Sequence, residues 1–156
     1  MIKYLIVSRV ALDWKHPIRK LGWEKWVENR LRFFDNYTRP SLKAQTDQDF
    51  TFISLVDHRI LKNDLGLGKN KLENEIFLPV EGIANTDGFS EIFSSLISFV
   101  HKKYTNYDSI ISSQIDSDDM FRKNFVEKNK SLLKIGNYSD IQESFTLDIK
   151  SGKVYI

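Results

Sequence analysis

Three aspartates within four residues, in the run Asp116-Ser117-Asp118-Asp119, are the side chains whose types and spacing most clearly indicate chemistry. They follow an apolar run that ends at Ile115 and precede a segment with helical periodicity. Because alternate side chains of an extended segment point the same way, we expect Asp116 and Asp118 to lie side by side. Two adjacent carboxylates repel each other unless a cation lies between them. A hard divalent ion, Mn²⁺ or Mg²⁺, suits such oxygen ligands, and substrate phosphates commonly complete its shell.

Asp119 completes the predicted metal set of Asp116, Asp118 and Asp119. At the start of the next predicted helix, it is placed to accept hydrogen bonds from backbone N–H groups or from a ligand hydroxyl. The simpler interpretation is that one of these aspartates only caps a helix on a solvated turn. That explains one aspartate, whereas three at the carboxyl end of a strand favour a site for a metal ion and a phosphate.

The elements that must position this cluster follow from hydrophobic periodicity. Apolar runs predict strands at residues 3–8, 49–56, 75–80 and 108–115. Apolar residues at three- and four-residue steps predict helices at 23–37, 41–45, 89–104 and 121–133, with Pro40 ending the first of them. Residues 58–70 are predicted to be loop, Thr86 or Asp87 to cap the third helix, and residues 145–156 to form a hairpin.

This order of strands and helices predicts an α/β fold, an open, mostly parallel sheet with helices on both faces and a C-terminal β-hairpin. Ligands of such sheets bind beyond the carboxyl ends of the strands. Three of the four strands end in polar residues, at Ser8-Arg9, Asp57 and Asp116. We therefore expect these ends to line one cleft.

Composition limits the class of protein. A length of 156 residues with 41% hydrophobic residues indicates a single folded domain spanning 1–156. The 23 Lys and Arg nearly balance the 21 Asp and Glu, so nothing calls for a nucleic-acid partner. The absence of cysteine excludes disulfides, thiolate zinc sites and cysteine nucleophiles. With no signal peptide and no transmembrane segment in the sequence, we expect a cytoplasmic protein.

Several segments of the chain resemble a known family. The segment 36–46 contains Pro40-Ser41-Leu42, two further residues and Gln45-Thr46, and is similar to a segment of glycosyltransferase-A enzymes. More narrowly, it resembles the putative rhamnosyltransferase family, whose members carry an Arg-x-Asp-x-Asp-Asp run at a strand end. This chain has Gln114 in place of that arginine. Ser8-Arg9-Val10, the Trp26 to Arg30 helix and the tail 145–155 also match in order, so the resemblance covers nearly the whole chain.

The resemblance implies a glycosyltransferase-A (nucleotide-diphospho-sugar transferase-like) fold that binds a nucleotide-diphosphate sugar as donor and transfers its sugar to a carbohydrate acceptor hydroxyl. Ser8 and Arg9, with Asp57, would hold the nucleoside, and Asp116 and Asp118 would position the ion on the diphosphate. Arg9 is equally well explained as a strand-end charge, and structural roles are favoured for Arg30 and Arg39. Trp14 remains a candidate for stacking on a sugar or a base.

Glycosyl transfer with inversion also needs a carboxylate base for the acceptor hydroxyl. After Asp119 the chain offers Glu127, Asp140, Glu143 and Asp148, none of them in a recognisable base motif. We therefore expect the acceptor-binding part to lie outside this chain, and two alternatives stay open. One is a non-catalytic module that binds nucleotide sugars, and the other is a metal-dependent phosphotransferase.

Overall fold

The computed structural model describes residues 2–12, 22–80 and 88–135, together with the backbone of 148–150 and 153–155. Trp14, the predicted caps Thr86 and Asp87, and the candidate bases Asp140 and Glu143 lie outside these residues. The strands are β1 Ile2–Val10, β2 Thr51–Asp57, β3 Glu75–Val80, β4 Ser109–Asp116, β5 Asp148–Lys150 and β6 Lys153–Tyr155. The helices are α1 Trp23–Phe33, α2 Arg39–Lys43, α3 His58–Lys62, α4 Gly88–Lys103 and α5 Phe125–Ile135.

Strands β1 to β4 form one parallel sheet in the order β3-β2-β1-β4. This confirms the predicted open α/β sheet, and β3, which carries Pro79, lies at an edge where proline is tolerated. Strands β5 and β6 pair antiparallel. The C-terminal hairpin itself stays a prediction, because Ser151 and Gly152 at its turn are outside the described residues.

Alternate residues of β1 enter two different hydrophobic clusters, as the period of a strand requires. Tyr4, Ile6 and Val10 pack with α1, the residues after it, and Val126 of α5. Leu5 and Val7 pack on the opposite face, where α4 contributes Ile92. Helices therefore cover both faces, as predicted. Within the described part of the chain, no helix is long and apolar enough to cross a membrane.

The prediction that Pro40 ends the first helix is wrong. Helix α1 continues through one π-helical turn, Phe34–Thr38, directly into α2. The N–H of Arg39 bonds to the carbonyl of Phe34 five residues earlier. Pro40 therefore falls in the first turn of α2, where it needs no N–H donor. Arg39 keeps helical dihedral angles, and its buried side chain forms ion pairs with Asp35 and Glu75.

The segment predicted as a loop after β2 begins with helix α3, His58–Lys62. A carboxylate oxygen of Asp57 accepts a hydrogen bond from the N–H of Arg59 at 2.9 Å, which makes Asp57 the N-cap. Ile60, the single buried residue of α3, joins the core. A single buried residue gives too little periodicity for a helix this short to be detected from the sequence.

Candidate donor site at the carboxyl edge of the sheet

The acidic cluster lies in a tight turn at the end of β4. The N–H of Asp119 bonds to the carbonyl of Asp116 at 3.1 Å, and α5 begins only at Phe125. The sequence-based placement of Asp119 at a helix start is therefore wrong, because a connecting segment separates the turn from the helix. The turn also means that Asp118 does not continue the alternation of the strand.

Arg9 and Asp116 meet at the ends of neighbouring strands. They are register partners in the parallel pairing of β1 with β4, so their side chains share one face. Nη2 of Arg9 lies 3.2 Å from Oδ1 of Asp116, and both side chains are partly exposed. The structure thus brings together two of the residues predicted for the site.

Arg30 reaches the acidic turn from α1. Its Nη1 donates to Oδ2 of Asp118 at 2.9 Å, and its Nη2 lies 3.3 Å from the other carboxylate oxygen. Nη2 also donates to the hydroxyl of the buried Ser117 at 3.1 Å. Asp116 and Asp118, which were expected to point the same way, are bound by two different arginines.

Sequence reasoning assigned Arg30 a structural role and so missed its place in this site. Arg30 lies beside the core position Leu31 on α1, and its side chain is about one third exposed. Helical periodicity separates buried from exposed faces, but it does not show which exposed residue reaches across to another element. The only available signal was the abundance of arginine near phosphate sites.

Asp57 is buried, with 1% relative exposure, and its carboxylate is bound by Arg59. Burial would raise the pKa of Asp57, but the hydrogen bonds and charge of Arg59, with a smaller contribution from His58, hold it below its ordinary value. The guanidinium of Arg59 lies over the ring of Trp23, 4.4 Å from its centroid. A direct contact between Asp57 and a nucleoside stays a prediction, and the accessible group at this end of β2 is Arg59.

Ser8 lies one residue inside the sheet edge and is fully buried. Its register partners are Ser54 on β2 and Ile115 on β4. Its hydroxyl has no hydrogen-bond partner within the described residues. The predicted donor contact by Ser8 therefore stays a prediction.

The segment after the acidic turn is held by the helix that carries Pro40. The hydroxyl of Thr38 donates to the carbonyl of Asp119 at 2.9 Å, and the hydroxyl of Ser41 accepts from the N–H of Phe121 at 3.2 Å. Further along, the N–H of Thr46 donates to the carbonyl of Lys123 at 2.7 Å. The residues that resemble the family segment therefore position the backbone that follows the acidic turn.

Gln45 is another buried polar contact of this kind, with 5% relative exposure. Its Nε2 donates to the carbonyls of Ser41 and Arg122, both at 2.9 Å. Its Oε1 accepts from the N–H of Val126 at 3.1 Å. One amide side chain thus bonds α2 to both the connecting segment and the first turn of α5.

An open pocket of about 300 Å³ adjoins the acidic turn on the β4 side. It is lined by Gln114, Ile115, Asp116, Asp119, Met120 and Phe121. Asp118 is not among these residues, since its side chain is held by Arg30. Within the described ranges, no three His, Cys, Asp or Glu side chains are arranged as a ready metal site.

Comparison with known proteins identifies one family. The model of the family described as putative rhamnosyl transferase matches residues 15–155, which is most of the chain. The chain therefore belongs to this family of glycosyltransferases. Neither the curated proteins nor the solved structures contain a match to it.

Proposed function

We propose that this member of the putative rhamnosyl transferase family binds a nucleotide-diphosphate sugar at the carboxyl edge of its sheet and transfers the sugar to an acceptor hydroxyl. The observation that carries the proposal is the convergence of two guanidinium groups, from Arg9 and Arg30, on the acidic turn. The carboxyl edge is where open parallel sheets bind ligands. Arginine presents a planar set of donors that matches phosphate oxygens.

The same convergence supports the binding of a diphosphate close to carboxylates. Arg9 and Arg30 contribute two positive charges, and each is oriented by an aspartate, Asp116 or Asp118. Because the guanidinium groups are held in place beforehand, less side-chain entropy is lost when phosphate binds. They are also partly exposed, at 31% and 32% of their side-chain surface, so a ligand can reach them.

A divalent ion, Mn²⁺ or Mg²⁺, is part of the proposal, and the residues fit it in part. Asp116 has an exposed carboxylate whose Oδ2 has no partner within the described residues, whereas both oxygens of Asp118 receive bonds from Arg30. Asp116 and Asp118 would hold the ion, and Asp119 is the third ligand predicted from the sequence. When bound, the ion would neutralise charge on the departing nucleoside diphosphate.

The nucleoside is proposed to lie toward the β1 and β2 ends of the edge. Arg9 borders this region, and Ser8 precedes it on β1 with its side chain buried. On the β2 side, Asp57 orients Arg59 over the ring of Trp23. We also propose a glycosyltransferase-A arrangement, in which the donor and the ion lie at one edge of a parallel sheet.

Titration of UDP-, GDP- and dTDP-sugars, with and without Mn²⁺, tests the proposal. We expect metal-dependent binding that Asp116→Asn abolishes and that Arg30→Met weakens about tenfold, the effect of losing one charged hydrogen bond. Arg32→Met is the matched control, since Arg32 is an exposed arginine on the same helix whose nearest ring is Phe33. If the folded protein binds none of these sugar nucleotides in a metal-dependent way, the proposal is wrong.

Arg30 and the ion share Asp118, and this gives a second readout. Because Arg30→Met removes the guanidinium that now occupies Asp118, it should leave the affinity for Mn²⁺ alone equal or higher. A purely structural role of Arg30 would lower both affinities together. Transfer or hydrolysis of the donor sugar by this chain would further separate a transferase from a non-catalytic binding module.

A further inference from the structure

The helix that carries Arg30 is interrupted by the π-helical turn Phe34–Thr38, which lies between α1 and α2. Turns of this kind usually occur singly inside α-helices and are frequent at functional sites. A π-helical turn takes up one residue more than an α-helical turn, so the residues after it are rotated by about 100° relative to an uninterrupted α-helix. The side chains from Thr38 onward therefore point in directions that a regular helix of the same sequence would not give them.

The rotated helix is anchored inside the protein by Arg39. Its side chain is 2% exposed and donates two hydrogen bonds of 3.0 Å to the carboxylate of Glu75 on β3. Its guanidinium also lies over the ring of Phe34, 4.6 Å from the centroid. In a regular α-helix Arg39 would lie about 180° around the axis from Arg30, whereas the extra residue brings it to about 80°, close to the core position Leu31. The ion pair with β3 therefore depends on the rotation.

Side chains on both sides of the π-helical turn hold the acidic turn. Arg30, which precedes it, donates to the carboxylate of Asp118 at 2.9 Å and to the hydroxyl of Ser117 at 3.1 Å. Thr38, which ends it, is fully buried and donates from its hydroxyl to the carbonyl of Asp119 at 2.9 Å. One continuous helix thus contacts three consecutive residues of the acidic turn.

These contacts require Arg30 and Thr38 to point in nearly the same direction. The two residues are eight positions apart. In a regular α-helix that spacing sets side chains about 80° apart, whereas with one residue taken up by the π-helical turn they are about 20° apart. The target is compact, because the N–H of Asp119 bonds back to the carbonyl of Asp116 at 3.1 Å. Without the rotation, the hydroxyl of Thr38 would be directed away from Asp119.

We propose that the π-helical turn positions the acidic turn for donor binding, and that Thr38 is the positioning residue. This inference rests on the proposed function, in which the ion is held at the acidic turn. Thr38 touches only the backbone of Asp119, so it acts by fixing where the carboxylates lie and not by binding the ion or the donor. Ser41 supports Thr38, because its hydroxyl donates to the carbonyl of Thr38 at 2.8 Å.

The hydroxyl of Thr38 is tested in the full chain with Thr38→Val, which keeps the branched shape without a donor, and Thr38→Ser, which keeps the hydroxyl. For the UDP-, GDP- or dTDP-sugar that the wild-type chain binds with Mn²⁺, we expect about tenfold weaker binding by Thr38→Val and a change within about twofold for Thr38→Ser. Ser131→Ala is the matched control, because the hydroxyl of Ser131 also donates to a carbonyl at 2.9 Å, that of Glu127 within α5. Equal affinities of the two Thr38 variants would overturn the role of the hydroxyl.

The rotation is tested by changing the number of residues in the turn. Deletion of the exposed Asn36, combined with Pro40→Ala because a regular helix cannot accept the proline ring, leaves Thr38 seven positions after Arg30 and so in the same direction. We expect its affinity to stay within about threefold of that of Pro40→Ala alone. One alanine inserted after Asn36 rotates Thr38 by about a further 100°, and we expect at least about a tenfold loss. A deletion variant that keeps its helix content by circular dichroism but binds as weakly as Thr38→Val would contradict the rotation; if neither length variant folds, the substitutions of Thr38 decide.

Amide shifts measured by NMR without ligand separate this inference from the proposed function. Thr38→Val should shift the amides of Ser117, Asp118 and Asp119 while amides of β2 stay unchanged. If these shifts occur but the wild-type chain binds no sugar nucleotide, the proposed function is wrong and the positioning of the turn stands. If the wild-type chain binds with Mn²⁺ and Thr38→Val neither shifts these amides nor weakens binding, the positioning role is wrong and the donor site stands.

Discussion

Replacement of Gln45 by alanine should destabilise the connection between the acidic turn and α5. The change removes hydrogen bonds to the carbonyls of Ser41 and Arg122 and from the N–H of Val126. Val126 is fully buried, so its N–H has no simple access to water. An unsatisfied buried group costs about 1–3 kcal/mol, and one such donor plus a partly exposed carbonyl gives a loss of about 3 kcal/mol.

Gln48→Ala is the matched control, because it removes the same side chain from a neighbouring position. Nε2 of Gln48 bonds only to the carbonyls of Leu42, Lys43 and Gln45, and the residue is exposed. The carbonyl of Lys43 is reached by water, and the carbonyl of Leu42 also accepts from the N–H of Gln45, so we expect a loss below about 1 kcal/mol. Urea unfolding of both variants, followed by circular dichroism, measures the difference.

Hydrogen exchange shows where the loss occurs. In Gln45→Ala the amides of Phe121 and Val126 should exchange faster, while amides in β1 and β2 keep their protection under native conditions. Affinity for the sugar nucleotide with Mn²⁺ should fall at temperatures where the variant is still folded, because the segment after Asp119 is less ordered. Equal destabilisation by Gln45→Ala and Gln48→Ala, or unchanged exchange at Val126, would refute the positioning role.

Three further changes test the buried polar groups. Glu75→Gln should lower the free energy of unfolding by about 3 kcal/mol, because it removes one of the two counter-charges of the buried Arg39 while Asp35 keeps the other. Arg39→Met with Glu75→Leu should recover part of that loss, and urea unfolding that shows no recovery would contradict this. The lowered pKa of Asp57 implies a stabilisation that is present above pH 3.8, its ordinary value, and is lost as pH falls through the native pKa. Asp57→Asn should make the melting temperature fall less at acid pH. An unchanged fall would contradict this role of Asp57. Burial raises the pKa of Tyr4 above 10.0 against the effect of its hydrogen bonds, so stability should fall at higher pH and Tyr4→Phe should remove that dependence.

The strands could be predicted closely from the sequence because each is an apolar run bounded by polar residues. The predicted β3 agrees with the observed Glu75–Val80, and β4 differs by one residue at each end. Pro40 was misleading because the rule for proline assumes an ordinary α-helix. The pairing of Arg39 with Glu75 joins residues far apart in sequence, and no local pattern reports it.

The candidate site was predictable in its acidic part and at Arg9, but not at Arg30. Three aspartates at a strand end are visible as a string of residues, and Arg9 follows from the parallel register that fold class implies. Arg30 is separated from Asp118 by 88 positions, and its contribution depends on how α1 packs over the sheet. Gln45 could be recognised as part of a family segment, but its contacts with Arg122 and Val126 appear only in three dimensions.

The acidic turn is fixed in place by side chains from three different elements. Arg9 and Arg30 attach it to β1 and α1, and these attachments occupy carboxylate oxygens of Asp116 and Asp118. Thr38 attaches it at Asp119 through the backbone alone, which leaves that carboxylate available beside Met120. For the proposed glycosyl transfer, a turn fixed by three separate elements is better suited than a mobile loop, since a small misplacement of reacting groups lowers the rate greatly.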